Sequence, residues 1–357
     1  MHLFRSQITS THDDARAANS NDDFKFSSHS KYFARCLTVL PSYTSSLDNS
    51  RVTVAFYSLA GLDLLHSLPI SLPYESTELI SWIYQLQLIT DSTACGFRGS
   101  SCAVTSRATP NPYDHAHITM TMTALLSLLL LGDNLENVQR HKIASSLVHL
   151  QLPNGAFVAT CLSTENDLRF VYCACAVAFI LNDWSGINKD LCTNFILQCR
   201  TYEYAFGQIP SAEAHGGSTF CAIAALSLMN RLDDLDHQDD LIRWCLQRQN
   251  EGFNGRPNKP DDSCYSWWIV ATLKLLNKDI LINIDQNQIF LHATESKITG
   301  GFSKWPDSTA DPLHSYLSLA SLSLMKHENL KSIHPALIIS MDVFERLKTD
   351  IHPKWNK

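Results

Sequence analysis

The chain has 357 residues, 45% of them hydrophobic and 18% charged, enough to bury one large core or two ordinary ones. Its 28 basic and 35 acidic residues give a formal net charge of −7, which excludes a broad nucleic-acid-binding surface and confines any anion site to a focused basic cluster. The longest apolar run, Ala124 to Leu131, contains Ser127 and falls far short of the roughly 20 residues a membrane span needs. No leader-like basic and apolar segment opens the chain. The 11 cysteines, odd in number and without framework spacing, read as reduced thiols of a cytoplasmic protein.

Residues 1–28 are polar and lack apolar periodicity, which predicts a mobile tail, and 29–357 read as one folded domain. From Tyr32 onward, apolar stretches of helical length alternate with short glycine-containing turns, which predicts an all-α fold. Cys173 and Cys175 stand two apart on one such helix and point to different faces, against a shared metal.

A repeat organises the helices. Ala124, Ala176, Ala224, Ala271 and Ala320 recur at spacings of 52, 48, 47 and 49 inside segments rich in small and apolar residues, as tightly packed inner helices require. A period of about 50 residues is one helical hairpin, and stacked hairpins make either an open solenoid or a closed ring. A glycine and aromatic turn precedes each inner helix: Gly96-Phe97, Gly155-Ala156-Phe157, Phe206-Gly207, Gly252-Phe253 and Gly301-Phe302. Gln87, Gln151, Gln198 and Gln247 lie shortly upstream of four of them.

Nine residues before each alanine stand His115, Asp167, His215, Asp262 and Asp311, so every inner helix begins with a polar, potentially ligating group. Helix capping accounts for such residues taken singly. If the helices surround one axis, their entrances converge and their free N–H groups favour an anion. Asp262 differs from the rest, because Cys264 follows two residues later and His314 falls in the next repeat. Three such ligands with a fourth position open are the pattern of a catalytic zinc site. His215, Arg256, Lys259 and Tyr265 form a second, donor-rich cluster suited to a diphosphate. No nucleophile elbow, phosphate-binding P-loop, dinucleotide fingerprint or His-Glu-x-x-His motif competes.

Several long segments carry a resemblance: Cys95-Gly96-Phe97-Arg98-Gly99, Pro112-Tyr113-Asp114, Glu165 to Ala174, His215 to Cys221, Gly255 to Tyr265, and Gly300 to Asp307. Over nearly its whole folded length the chain resembles the β subunits of protein prenyltransferases, most closely the type I, geranylgeranylating branch. The resemblance implies a closed α-α barrel, or toroid, partnered by an obligate α subunit in a heterodimer. It implies one Zn2+ per β subunit on Asp262, Cys264 and His314. The implied reaction moves a C20 isoprenoid from geranylgeranyl diphosphate to the cysteine of Cys-a-a-X proteins such as small GTPases, X mostly leucine, through a zinc-bound thiolate.

The same resemblance assigns diphosphate contacts to His215, Arg256, Lys259, Tyr265 and Lys304. Lys304 stands where farnesylating relatives carry a magnesium-binding aspartate, so Mg2+ is not expected to be required. Thr53 stands where those relatives have a bulky tryptophan at the end of the lipid pocket, with Tyr57 and Tyr172 as further lining. Arg169, His117, Thr119 and Phe170 match peptide-contacting positions, and Thr119 departs from an expected alanine. A farnesylating or Rab-type β subunit and a non-catalytic protein-binding toroid are the competing readings; a terpene cyclase lacks its Asp-x-Asp-Asp motif here.

Overall fold

The computed structural model describes residues 24–40, 42–89, 94–101 and 114–355. The expected tail up to residue 23, and Pro112-Tyr113, lie outside them, and the first helix begins at Phe26, inside the stretch 1–28. Twelve helices alternate between an outer and an inner layer: α1 (Phe26–Thr38), α2 (Arg51–Leu64), α3 (Ser76–Gln85), α4 (Ile118–Leu130), α5 (Arg140–Ser146), α6 (Leu168–Ile180), α7 (Lys189–Gln198), α8 (Gly216–Met229), α9 (Gln238–Leu246), α10 (Ser263–Leu275), α11 (Ile284–Ala293) and α12 (Pro312–Leu324). Two short helices, α13 (Met341–Arg346) and α14 (His352–Trp355), follow. Apart from isolated bridges, β structure among the described residues is limited to the pairs β1 (Gln87–Leu88) with β2 (Gly96–Phe97) and β3 (Ile333–His334) with β4 (Ile339–Ser340). The fold is all-α and built of hairpins, as the repeat predicts.

The even-numbered helices up to α12 form a closed ring, each packed on the next, with α12 returning to α2. Closure is what the sequence left open. All five anchor alanines are fully buried, and their small side chains let neighbouring helices approach closely. Hydroxyls inside these apolar helices, such as Ser127 and Ser321, donate to the carbonyl four residues back, which satisfies them without a partner helix.

Phe97, Phe157, Phe206, Phe253 and Phe302 are fully buried, and each pairs by an antiparallel bridge with the chain leaving an outer helix, at Gln87, Gln151, Arg200, Gln249 and Glu295. Gly155 is required in its turn: its φ is +94°, and a Cβ there would meet Leu191 O at 1.9 Å. Gln87, Gln151 and Gln249 then bracket the entrance of the next outer helix. Gln151 Nε2 donates to Asn188 O at 3.0 Å while its Oε1 accepts from Asn188 N at 2.8 Å, and Gln249 does the same with Asn283. Gln198 and Gln247 lie two residues upstream of these working positions, which the bridge to the phenylalanine defines and which Arg200 and Gln249 fill; Arg200 reaches Asp236.

In the closing repeat that position is Glu295, and it meets the first outer helix. His29 of α1 accepts from Gly301 N–H at Nδ1 (3.0 Å), so its Nε2 carries the hydrogen donated to Glu295 Oε1 at 3.1 Å. The His29 ring stacks on Phe302 with centroids 4.9 Å apart. Burial alone would raise the Glu295 carboxyl, but hydrogen bonds from His29 and His292 outweigh it and hold it at about 2. A folded-state pKa below the unfolded value of roughly 4.3 means that this contact stabilises fully above about pH 4.3 and is lost as pH falls through about 2. Replacing Glu295 by Ala should lower stability at pH 7 by about 3 kcal/mol, on the order of that shift, and flatten the acid limb between roughly pH 4 and 2, as read by denaturant titration across pH.

Candidate active site and metal centre

Five inner helices start on a side chain that bends back to a free N–H of its own first turn. The caps are His117 (from Thr119 N, 3.2 Å), Asp167 (Arg169 N, 2.8 Å), His215 (Gly217 N, 3.1 Å), Asp262 (Cys264 N, 3.0 Å) and Asp311 (His314 N, 3.0 Å). Four match the polar register of the sequence. In α4 the cap is His117, two residues after the expected His115, whose Nδ1 lies 3.4 Å from Cys161 Sγ instead. The first helical residue of α10, Ser263, donates its N–H to Lys304 O at 2.9 Å and its hydroxyl to Ser303 O at 2.7 Å, so the turn before α12 is fixed against the start of α10.

That juxtaposition brings Asp262, Cys264 and His314 together. Their ligating atoms all lie within 4.8 Å of one another, the only such grouping among the described residues. His314 Nε2 is 3.3 Å from Asp262 Oδ1, and His314 Nδ1 is 2.6 Å from Asp311 Oδ2. Asp311 therefore caps α12 and also aims the imidazole. Burial would lower the His314 pKa, but its hydrogen bonds to Asp262 and Asp311 push it up to about 9. Burial would likewise raise Asp262, yet His314 and Cys264 hold it below the usual carboxylate range. Burial and the Asp262 charge push the Cys264 thiol well up. One carboxylate, one thiol and one imidazole with a carboxylate behind it fit a divalent cation of zinc's type, which would displace the protons held by His314 and Cys264.

Lys304 Nζ stands 3.7 Å from Asp262 Oδ2 with its side chain 44% exposed, so it borders the cluster and still faces solvent. On the neighbouring helix start, His215 accepts two backbone N–H groups at Nδ1, which leaves its hydrogen on Nε2, 2.7 Å from Tyr265 Oη. His215 thus donates to Tyr265, and the phenol hydrogen is free for a ligand. Burial keeps that phenol protonated and, with Arg256 nearby, keeps His215 below its usual pKa. Arg256 pairs with Glu213 at 2.6 Å, and Lys259 is exposed on the same loop.

The predicted peptide residues also gather. Arg169 is gripped by Asp167 (2.7 Å) and Glu165 (2.5 Å) and lies over the Phe170 ring, which meets His117 edge-on at 6.1 Å. Thr119 Oγ1 is 3.4 Å from Cys173 Sγ, whereas Cys175 faces Cys192 of α7 at 3.9 Å, so the two cysteines do point apart. Thr53 is half-buried between α2 and α4, 3.2 Å from Met120 Sδ. Tyr57 packs 6.0 Å from Tyr316, and Tyr172 donates to Ala336 O at 2.8 Å.

Comparison with known proteins decides the family. Residues 24–339 match the prenyltransferase alpha-alpha toroid domain. The chain is 38% identical to the geranylgeranyl transferase type-1 subunit beta of Dictyostelium discoideum, over 89% of its own length and 97% of that protein, and 35% identical to that of Arabidopsis thaliana, over 88% of each. The chain belongs to the type I protein geranylgeranyltransferase β-subunit family. The structure of Candida albicans protein geranylgeranyltransferase-I complexed with GGPP superposes with a TM-score of 0.84 at 30% identity, covering 92% of this chain and 99% of that one. As a type I-like catalytic β subunit, the chain is an enzyme of the zinc-dependent protein prenyltransferase class.

Some working residues of this β subunit escape sequence reasoning. Asp311 reads as a cap, although the Asp-x-x-His spacing to His314 across one helical turn is a visible signal. Glu213, which holds Arg256, and Gln208, which donates to Asp167 at 2.7 Å, give no signal in sequence. The metal cluster yields a direct test. Zinc affinity, measured by chelator competition, should rise steadily from pH 6.5 to about 9, because binding the ion expels protons that His314 and Cys264 still hold over that range. Asp311→Asn, which keeps a capping oxygen but not the charge behind His314, should weaken affinity about 10- to 100-fold.

Proposed function

We propose that this chain, as one catalytic domain over 29–357, pairs with a prenyltransferase α subunit in the cytoplasm. The pair transfers a geranylgeranyl group from geranylgeranyl diphosphate to the cysteine of proteins ending in Cys-a-a-X, X mostly leucine, small GTPases among them. The observation that carries this reading is the meeting, on one rim, of the Asp262, Cys264 and His314 cluster with Lys304 and the His215–Tyr265 pair. The match to a Candida albicans enzyme solved with GGPP supports the same donor.

One Zn2+ on Asp262, Cys264 and His314 would supply a Lewis acid that lowers the pKa of an arriving thiol into the neutral range. The substrate sulfur attacks carbon 1 of the isoprenoid as the bond to the diphosphate oxygen breaks. Negative charge grows on the departing diphosphate, and donors already in place there act on the transition state. Tyr265 gives its phenol hydrogen, since His215 occupies the oxygen's lone pair, while Arg256, Lys259 and Lys304 supply positive charge. Arg256 exchanges Glu213 for the diphosphate. Arg169, His117, Thr119 and Phe170 flank the peptide, and Thr119, larger than alanine, narrows the pocket for X. Thr53, Tyr57 and Tyr172 bound the isoprenoid, with the small Thr53 leaving room for a fourth isoprene unit.

A fixed ammonium at Lys304 does the electrostatic work of Mg2+, so activity needs none. The heterodimer should prefer geranylgeranyl over farnesyl diphosphate and a peptide ending in leucine over one ending in serine; the reverse preference in both would contradict the reading. Lys304→Asp should lower kcat/KM without magnesium on the order of 100-fold and make the residual rate rise with added Mg2+. A variant whose rate ignores Mg2+ would contradict the role given to Lys304.

A further inference from the structure

The turns that lead into the rim are copies of one another, and their register singles out one exposed aromatic side chain. Two residues after the buried phenylalanine, the carbonyl of Gly99, Ala159, Gln208, Gly255 or Lys304 accepts an N–H from the start of α2, α4, α6, α8 or α10. Of these five residues only Lys304 carries a charge. The last three turns continue alike, as Ile209-Pro210-Ser211, Arg256-Pro257-Asn258 and Trp305-Pro306-Asp307, and their third residues are all left-handed, at φ +68°, +62° and +62°. The proline disfavours helical backbone in the residue before it, so the three turns are bent in one way. Trp305 therefore holds the place that Arg256 holds one repeat earlier, beside the diphosphate cluster.

Trp305 is 44% exposed, so core packing does not account for it. Its backbone is fixed, since Ser303 Oγ donates to its carbonyl at 2.7 Å, and the Lys304 carbonyl is fixed by Ser263 N–H. What stays free is the long lysine side chain, and ordering it costs rotamer entropy. Two groups hold its ammonium: Asp262 Oδ2 at 3.7 Å and the Trp305 ring, whose centroid is 4.7 Å from Nζ. They differ in kind. A carboxylate neutralises the charge it holds, and Asp262 belongs to the metal cluster as well. An indole face attracts a cation through its quadrupole and leaves the charge whole. Arg256 gives the contrast, because its partner is the Glu213 carboxylate at 2.6 Å, which a diphosphate must replace.

We propose that Trp305 is a positioning residue for Lys304: its indole face holds the ammonium at the rim as a fixed, unneutralised charge, ready for the negative charge that grows on the departing diphosphate. The inference rests on the reading that Lys304 acts on that diphosphate. It goes beyond that reading, since a lysine could act there with no aromatic neighbour. A fixed ammonium replaces a metal ion only if something other than an acid fixes it, and Trp305 is the group in place to do so.

The test is a double-mutant cycle on the zinc-loaded heterodimer, read as the single-turnover rate of geranylgeranyl transfer to a leucine-terminated peptide without magnesium. Trp305→Leu should slow transfer about three- to tenfold, and Trp305→Tyr, which keeps an aromatic face, should recover most of that loss. In a Lys304→Met background, Trp305→Leu should cost nothing further, whereas a merely structural tryptophan would cost the same in both backgrounds. Peptide affinity should stay within about twofold of wild type throughout. A wild-type rate in Trp305→Leu, an equal loss in both backgrounds, or a loss confined to peptide affinity overturns the proposal and leaves the role of Lys304 intact. A wild-type rate in Lys304→Met overturns the reading beneath it, and the proposal with it.

Discussion

The first turn of a helix leaves N–H groups without partners, and α4, α6, α8, α10 and α12 each answer that deficit with one short side chain from the residue just before the helix. The active site follows from how those side chains are spent. Because His215 Nδ1 is taken by Gly217 and Ser218, its hydrogen is forced to Nε2 and on to Tyr265. Because Asp311 accepts from His314 N–H at one oxygen, its other oxygen is aimed at His314 Nδ1. Asp262 caps α10 and presents the same carboxyl to His314 and Lys304. Capping and ligation read as alternatives in a sequence; here one side chain can serve both.

Ring geometry turns five local caps into one site. The bridges to the buried phenylalanines and the glutamine brackets set each hairpin against the next, and the links from the first helical residue to the following turn, such as Ser263 to Lys304, fix neighbouring entrances to each other. The N-termini of these inner helices then face one rim, and their free N–H groups give it positive potential even though the chain carries a net charge of −7. The contact between His29 and Glu295, 266 residues apart in the chain, completes the circle. At the other end, Arg346 donates to the carbonyls of Gly132 and Asp133 in the turn just after α4, and His352 meets Ile180 O of α6, so the C-terminal segment is tied to two inner helices.

Much of this was legible because the repeat imposes a register. Small residues at a period of about 50 residues give the inner helices, and a fixed offset from them gives four of the five caps and, through Asp262, Cys264 and His314, the metal cluster. The register fails where the chain departs from it. His117 replaces His115 because the segment leading into α4 places the helix start two residues later. The inner helix α2 escaped notice, since Ser50 makes no side-chain cap bond and no Asp or His marks its entrance. Gln198 and Gln247 were chosen by residue type, whereas the bridge to phenylalanine selects position. The pairing of Glu295 with His29 was not legible: Glu295 fills the repeat's bridge position with a different residue type, His29 has no counterpart, and only closure brings them together. Pairings such as Glu213 with Arg256 depend on side-chain reach across a turn, which spacing does not encode.

The central claim is that cap-bearing helix starts assemble a three-residue metal site, with Cys264 as its thiolate. Cobalt(II) substitution of the heterodimer tests this most directly, because a cobalt–thiolate bond adds a near-ultraviolet charge-transfer band that oxygen and nitrogen ligands do not. The account predicts one cobalt per heterodimer, with a band that disappears in Cys264→Ser and persists in Cys173→Ser and Cys221→Ser. A band that survives Cys264→Ser, or cobalt that binds without one, would contradict it.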